Sequence, residues 1–126
     1  MMKRINVILL VILLSSCSLF KPSPPASLLT KYDDYKTVSK DFKIVDSYKF
    51  PLNDADISNG ATDKWCIAYT ESYEGLSGLY EQSGSANLWV KIGEDWINMD
   101  FQFFSPYEEL SANKTSCEYL KERYLK

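Results

Sequence analysis

From Leu88 to Phe103, apolar and polar residues alternate in two consecutive runs. Leu88, Val90 and Ile92 alternate with Trp89 and Lys91, and Ile97, Met99, Phe101 and Phe103 alternate with Asn98, Asp100 and Gln102. A period of two sends every second side chain to the same side of an extended chain, so these runs predict two β-strands joined as a hairpin. The pattern also predicts a register, because a slip of one residue would turn every side chain to the other face. Pairing Ile92 with Ile97 sets Val90 against Met99 and Leu88 against Phe101, with Gly93 to Trp96 as the loop and all the aliphatic residues inward. Trp89 then lies across from Asp100 and Lys91 across from Asn98, with Trp96 at the turn. Exposed tryptophans are frequent anchors of protein interfaces, so Trp89, Lys91, Trp96, Asn98 and Asp100 form a candidate partner-binding face. The alternative is that another element covers this face or that Trp89 packs locally across the hairpin.

The other elements follow from the same kind of pattern. Leu28, Tyr32, Tyr35 and Val38 recur at helical spacing within Ser27–Lys40, with Ser27 available as an N-cap, which predicts a short amphipathic helix. Phe42, Ile44, Tyr48 and Phe50 predict a strand ending at Pro51, with Asp46 interrupting its apolar side. Asn53–Asp63 reads as a loop, Trp65–Tyr69 as a buried strand, and Leu79–Gln82 as a short strand turning at Ser83-Gly84. Ser105-Pro106-Tyr107-Glu108 carries the signature of a capping box, with Pro at the first helical position. Leu110, Cys117, Leu120 and Tyr124 would share one stripe of the helix that follows.

The first residues carry a different kind of signal. Lys3 and Arg4 precede an apolar run, Ile5 to Leu14, interrupted only by Asn6. That run is about half the length a helix needs to cross a bilayer, and with its charged start it reads as the n- and h-regions of an export signal. At its end Leu14-Ser15-Ser16-Cys17 resembles the lipobox of bacterial lipoproteins. The resemblance implies cleavage before Cys17 by signal peptidase II and acylation of Cys17. Ser18, where an inner-membrane retention signal would place Asp, implies the outer membrane with the domain facing the periplasm. The organisation expected is a signal peptide at 1–16, a lipidated cysteine and Pro/Ser-rich tether at 17–27, and a single domain at 28–126.

With Cys17 taken by lipid, Cys66 and Cys117 remain as a pair outside the reducing cytosol, where a disulfide is the natural expectation and two buried thiols the alternative. The fold class expected is α+β: an antiparallel sheet of about four to five strands packed against an N-terminal and a C-terminal helix and stapled by one disulfide.

Chemistry is narrowed by what is missing. The chain has no histidine, which removes Ser-His-Asp and Cys-His nucleophile systems and the commonest ligand of zinc. No Gly-rich phosphate loop, dinucleotide fingerprint or CxxC motif is present. Asp54-Ala-Asp56-Ile-Ser58-Asn-Gly60 resembles the front of a calcium loop, but the glycine comes one place late and Trp65 stands where a bidentate Glu belongs. The carboxylate pairs Asp54 with Asp56 and Glu108 with Glu109 could serve glycoside hydrolysis only at the right separation in space. Without Lys3 and Arg4, 12 basic side chains face 17 acidic ones, a formal charge near −5 that disfavours nucleic acid. No cofactor, metal or enzymatic activity is expected. The function expected is that of a non-enzymatic protein-binding module held to the lipid bilayer, such as a periplasmic immunity or inhibitor protein. The alternative is a structural lipoprotein of a secretion or conjugation machine.

Overall fold

The computed structural model describes residues 22–74, 78, 80–104 and 115–125. The export signal and Cys17, the capping box at 105–108, and Leu110 lie outside the described residues.

Helix α1 (Ala26–Leu29) runs through a 3₁₀ turn (Thr30–Tyr32) into α2 (Asp33–Val38). The helical spacing of Leu28 and Tyr32 places both in the core, whereas Tyr35 and Val38 are exposed. Four strands follow: β1 (Lys40–Lys49), β2 (Ala61–Glu74), β3 (Tyr80–Ile92) and β4 (Asp95–Phe104). They form one antiparallel sheet in the order β1-β2-β3-β4. Each strand pairs with its chain neighbour, the short-range solution that hairpin connections favour. A short helix, α3 (Asp54–Ser58), interrupts the expected loop between β1 and β2, and α4 (Glu118–Tyr124) closes the described chain.

The two sides of the sheet bury different residues. On one side Leu28 and Tyr32 pack with Trp65, Ile67, Tyr69 and Trp96. On the other, Cys117 and Leu120 pack with Phe50, Cys66, Ala68, Ala86, Leu88 and Phe104. Cys66 and Cys117 form a disulfide with their Cα atoms 5.9 Å apart, tying central strand β2 to the residue that precedes α4. Small residues make room for that approach: Ala68 lies opposite Ala86 in the ladder, and Thr115 rests on Gly84.

Gly84 corrects one expectation. The turn expected at Ser83-Gly84 does not form, because β3 runs unbroken from Tyr80 through Gly84 to Ile92; Leu79 lies outside the described residues. Glycine marks a close approach of backbone to another segment as readily as it marks a turn. Here a Cβ would stand 2.5 Å from Oγ1 of Thr115.

The β3–β4 register is the second correction. The loop is two residues, Gly93 and Glu94, so Ile92 lies opposite Asp95 and Val90 opposite Ile97. Gly93 has φ +62°, the conformation that lets the first residue of so short a turn follow the twist of the strands. A register shift between Leu88 and Trp89, at Met99 on the partner strand, then sets Leu88 against Asp100 and Asn87 against Phe101. A bulge adds one residue to one strand and inverts the parity beyond it. Phe101 and Phe103 are therefore not on the Leu88 face. They lie on the Tyr32 side, at the free edge.

Candidate functional site

The expected face of Trp89, Lys91, Trp96, Asn98 and Asp100 divides. Trp89 pairs with Asn98 and Lys91 with Trp96, so these four share the Tyr32 side of the sheet. Asp100 falls beyond the bulge on the opposite side, where it accepts hydrogen bonds from Arg123 Nη1 at 2.8 Å and from the Tyr124 hydroxyl at 2.5 Å. These bonds, that from Tyr124 foremost, hold its carboxyl below the usual carboxylate range despite partial desolvation.

The indoles are not open to solvent in the manner expected. Trp96 is 5% exposed, and its Nε1 donates to Ser27 Oγ at 3.0 Å. Trp89 is half-buried, and its Nε1 donates to the Tyr32 hydroxyl at 2.8 Å. Tyr32 in turn donates to Asn87 Oδ1 at 3.0 Å. Its ring centroid lies 5.4–6.0 Å from those of Tyr35, Phe42, Tyr69 and Trp89. Burial pushes its phenol pKa far above the ordinary value, so the hydroxyl stays a donor. The N-terminal helical segment thus covers the tryptophans, and their aromatic surface serves packing.

The surface left uncovered lies one strand further out. On β4, Ile97 is 46% exposed, Met99 52%, Phe101 61% and Phe103 51%. The rings of Phe101 and Phe103 continue the Tyr32 side past Asn87 and Ser85, beyond the cover of α1 and α2. β4 is an edge of the sheet, so these side chains flank backbone groups that no described strand pairs. Proteins usually blunt such an edge with lysine, proline or a strong bulge. β1, the opposite edge, has all three kinds of guard: Lys40, Lys43 and Lys49 along it, two register irregularities with Asp41 at φ +56°, and Pro51 just beyond. β4 has one irregularity and two aspartates, and Pro106 follows it as Pro51 follows β1, so what separates the two edges is that β4 has no basic residue. The alternating apolar pattern marked these residues, but it assigned them to the core. Solvent exposure at an edge cannot be read without knowing where the bulge falls.

A second feature that sequence reasoning missed is structural. Lys64 is 3% exposed and Asp56 6% exposed, and their Nζ and Oδ2 atoms lie 2.9 Å apart. Asp56 also accepts from the Asn53 backbone N–H at 3.0 Å, while the Asn53 side chain accepts from the Asp56 N–H at 2.7 Å, a reciprocal cap on α3. Burial pushes the Asp56 carboxyl up, but the bonds from Asn53 and Lys64 outweigh it and hold it below the ordinary value. The Asp54–Gly60 stretch is thus a capped helix and turn rather than a calcium loop.

An open cavity of about 260 Å³ lies at the far end of β1, lined by Pro22, Ser47, Tyr48, Lys49 and Lys121. Among the described residues, no group of three or more His, Cys, Asp and Glu side chains could hold a metal ion. No described helix is long and apolar enough to cross a membrane. No family model, curated protein or solved structure matches the chain.

Proposed function

We propose that this chain is a lipoprotein of the bacterial cell envelope, anchored through acylated Cys17 in the outer membrane, whose periplasmic domain binds a protein partner and catalyses no reaction. The exposed rings of Phe101 and Phe103, side by side on the Tyr32 face of edge strand β4, carry the binding half of this reading. An edge strand without lysines offers backbone donors and acceptors to an added strand, and alternate apolar side chains add affinity and selectivity. The acidic charge of the domain favours a basic partner, as an inhibitor or immunity protein would meet. The anchoring half rests on the Leu14-Ser15-Ser16-Cys17 resemblance.

Two measurements in the native host test the halves separately. Palmitate labelling should be present in the wild type and lost in Cys17→Ala. A photoreactive residue at Phe101 or Phe103 should give one discrete protein adduct, and the same probe at Ile57, an equally exposed apolar residue on α3, should give none. Absence of adducts, or identical adducts from all three positions, would overturn the β4 assignment.

A further inference from the structure

We infer that the sheet stands on its β1 edge against anionic phospholipid headgroups, which holds β4 as the edge farthest from the bilayer; the inference rests on Cys17 carrying the lipid. The chain joins the domain at Pro22, which meets Ser47, Tyr48 and Lys49 of β1 and Lys121 of α4 around the open cavity. Only five peptide steps separate Cys17 from Pro22. Fully extended, they reach at most ~18 Å. The four strands, spaced ~4.8 Å apart, place β4 ~14 Å beyond β1 before any side chain is counted. A lipid anchor attached at the β1 end therefore makes β1 the edge nearest the attachment point, with β4 a sheet's width further away.

Charge points the same way. Lys40, Lys43 and Lys49 are exposed along β1, and Lys121 stands beside them with its Nζ 4.2 Å from the centre of the Tyr48 ring and 3.0 Å from Glu118. Among the described residues Lys43 and Lys49 have no ion-pair partner. Asp41 is the exposed carboxylate of this strand; Asp46 is turned inward, accepting from the Cys117 backbone N–H at 2.9 Å. Val45, 39% exposed, supplies an apolar side chain between the lysines. A domain of net negative charge is repelled by an anionic leaflet unless it turns its basic edge toward it, and juxtamembrane lysines are attracted within a Debye length of the surface. β4 has no basic residue of its own; Arg123 of α4 pairs with Asp100, and the exposed Asp95 leaves β4 the less basic of the two edges.

The test uses the mature lipidated protein in vesicles of phosphatidylethanolamine and phosphatidylglycerol. A fluorophore is placed on Lys49→Cys or on Asn98→Cys; Cys66 and Cys117 are oxidised and do not react. Flotation with the vesicles reports the anchor, and quenching by a headgroup-attached nitroxide reports orientation. Quenching should be severalfold stronger at position 49 than at position 98, and Lys43→Glu or replacement of phosphatidylglycerol by phosphatidylcholine should narrow the difference. Equal quenching in protein that floats would overturn the orientation and leave the anchor standing. Protein that carries no lipid and fails to float would overturn the anchor, and this inference with it.

Discussion

The indole N–H of Trp89 donates to the hydroxyl of Tyr32 at 2.8 Å, joining strand β3 to the 3₁₀ turn 57 residues earlier in the chain. The hydroxyl in turn donates a hydrogen bond to Asn87 Oδ1. Removing the hydroxyl leaves a half-buried donor and acceptor without partners, at a cost of about 1–3 kcal/mol. Tyr32→Phe should therefore lower the unfolding free energy measured in urea by that amount while leaving partner adducts from β4 unchanged. The pH dependence has a definite sign. Burial raises the folded pKa of Tyr32 above its unfolded value, so this stability is complete below about pH 10 and is lost as pH rises toward the folded value. Denaturation curves collected up to pH 11 should show wild-type stability falling more steeply than that of Tyr32→Phe; parallel slopes would show that Tyr32 does not ionise on unfolding.

The C-terminal segment is held at two neighbouring points. The Cys66–Cys117 bond closes a loop of 51 residues, worth about 4 kcal/mol on the chain-entropy account. Denaturation with and without a phosphine reductant should differ by roughly that much, and Cys66→Ala with Cys117→Ala should abolish the difference. Gly84→Ala places a methyl 2.5 Å from Thr115 Oγ1 and 3.2 Å from its Cβ, so the segment must shift, at a cost of about 1–3 kcal/mol. Thr115→Ala should recover part of that loss in the double variant. An additive double variant would mean that the two residues do not touch in solution.

Lys64 and Asp56 form a buried pair that is costly to break singly. Asp56→Asn strands the Lys64 cation and weakens the cap on α3, and the expected loss is about 3–5 kcal/mol. Adding Lys64→Met should recover part of it, because the stranded cation goes too. The folded pKa of Asp56 lies below its unfolded value, so its stabilising effect is present above about pH 4 and is lost as pH falls through the folded value. Acid unfolding should be shallower in the double variant than in the wild type.

The strands were legible where side-chain pattern alone decides them. Leu28 and Tyr32 announce the buried stripe of the N-terminal segment, and Cys66 in an apolar run announces its inward partner. The Asn53–Asp56 spacing also carries a cap signature, with an acidic residue three places after the cap, though Asp63 and Gly60 nearby read as loop. Two features were hidden for physical reasons. A bulge at Met99 leaves no compositional trace, yet it moves Asp100 to one face and Phe101 to the other. Gly84 carries no side chain to distinguish a turn from a contact, and only Thr115, 31 residues away in sequence, settles which it is. The expected face divides for a tertiary reason: how far Trp89 and Trp96 are covered depends on where Ser27 and Tyr32 land, which no local pattern encodes.

The β4 row makes the last prediction, because there stability and binding should separate. Phe101 and Phe103 are more than half exposed, and substitutions at such positions usually change stability by no more than about 0.5 kcal/mol. Phe101→Lys and Phe103→Lys add to β4 the kind of charge that already guards β1, so each should leave the melting temperature nearly unchanged and reduce non-specific self-association. In a complex that adds a strand to this edge, each lysine would have to be desolvated against apolar surface. Affinity should then fall by about 2 kcal/mol or more, roughly a 30-fold rise in Kd. A photoreactive residue at Ile97, on the same edge strand but the opposite face, reports whether a strand is added along β4, and its adduct should vanish in the lysine variants. Trp89→Ala is the contrast, since it removes packing under Tyr32 and should lower the melting temperature while leaving the Ile97 adduct in the fraction that folds. If the lysine variants unfold the domain, or if the adduct persists in folded Phe101→Lys, the exposed row belongs to the architecture of the fold and the partner binds elsewhere.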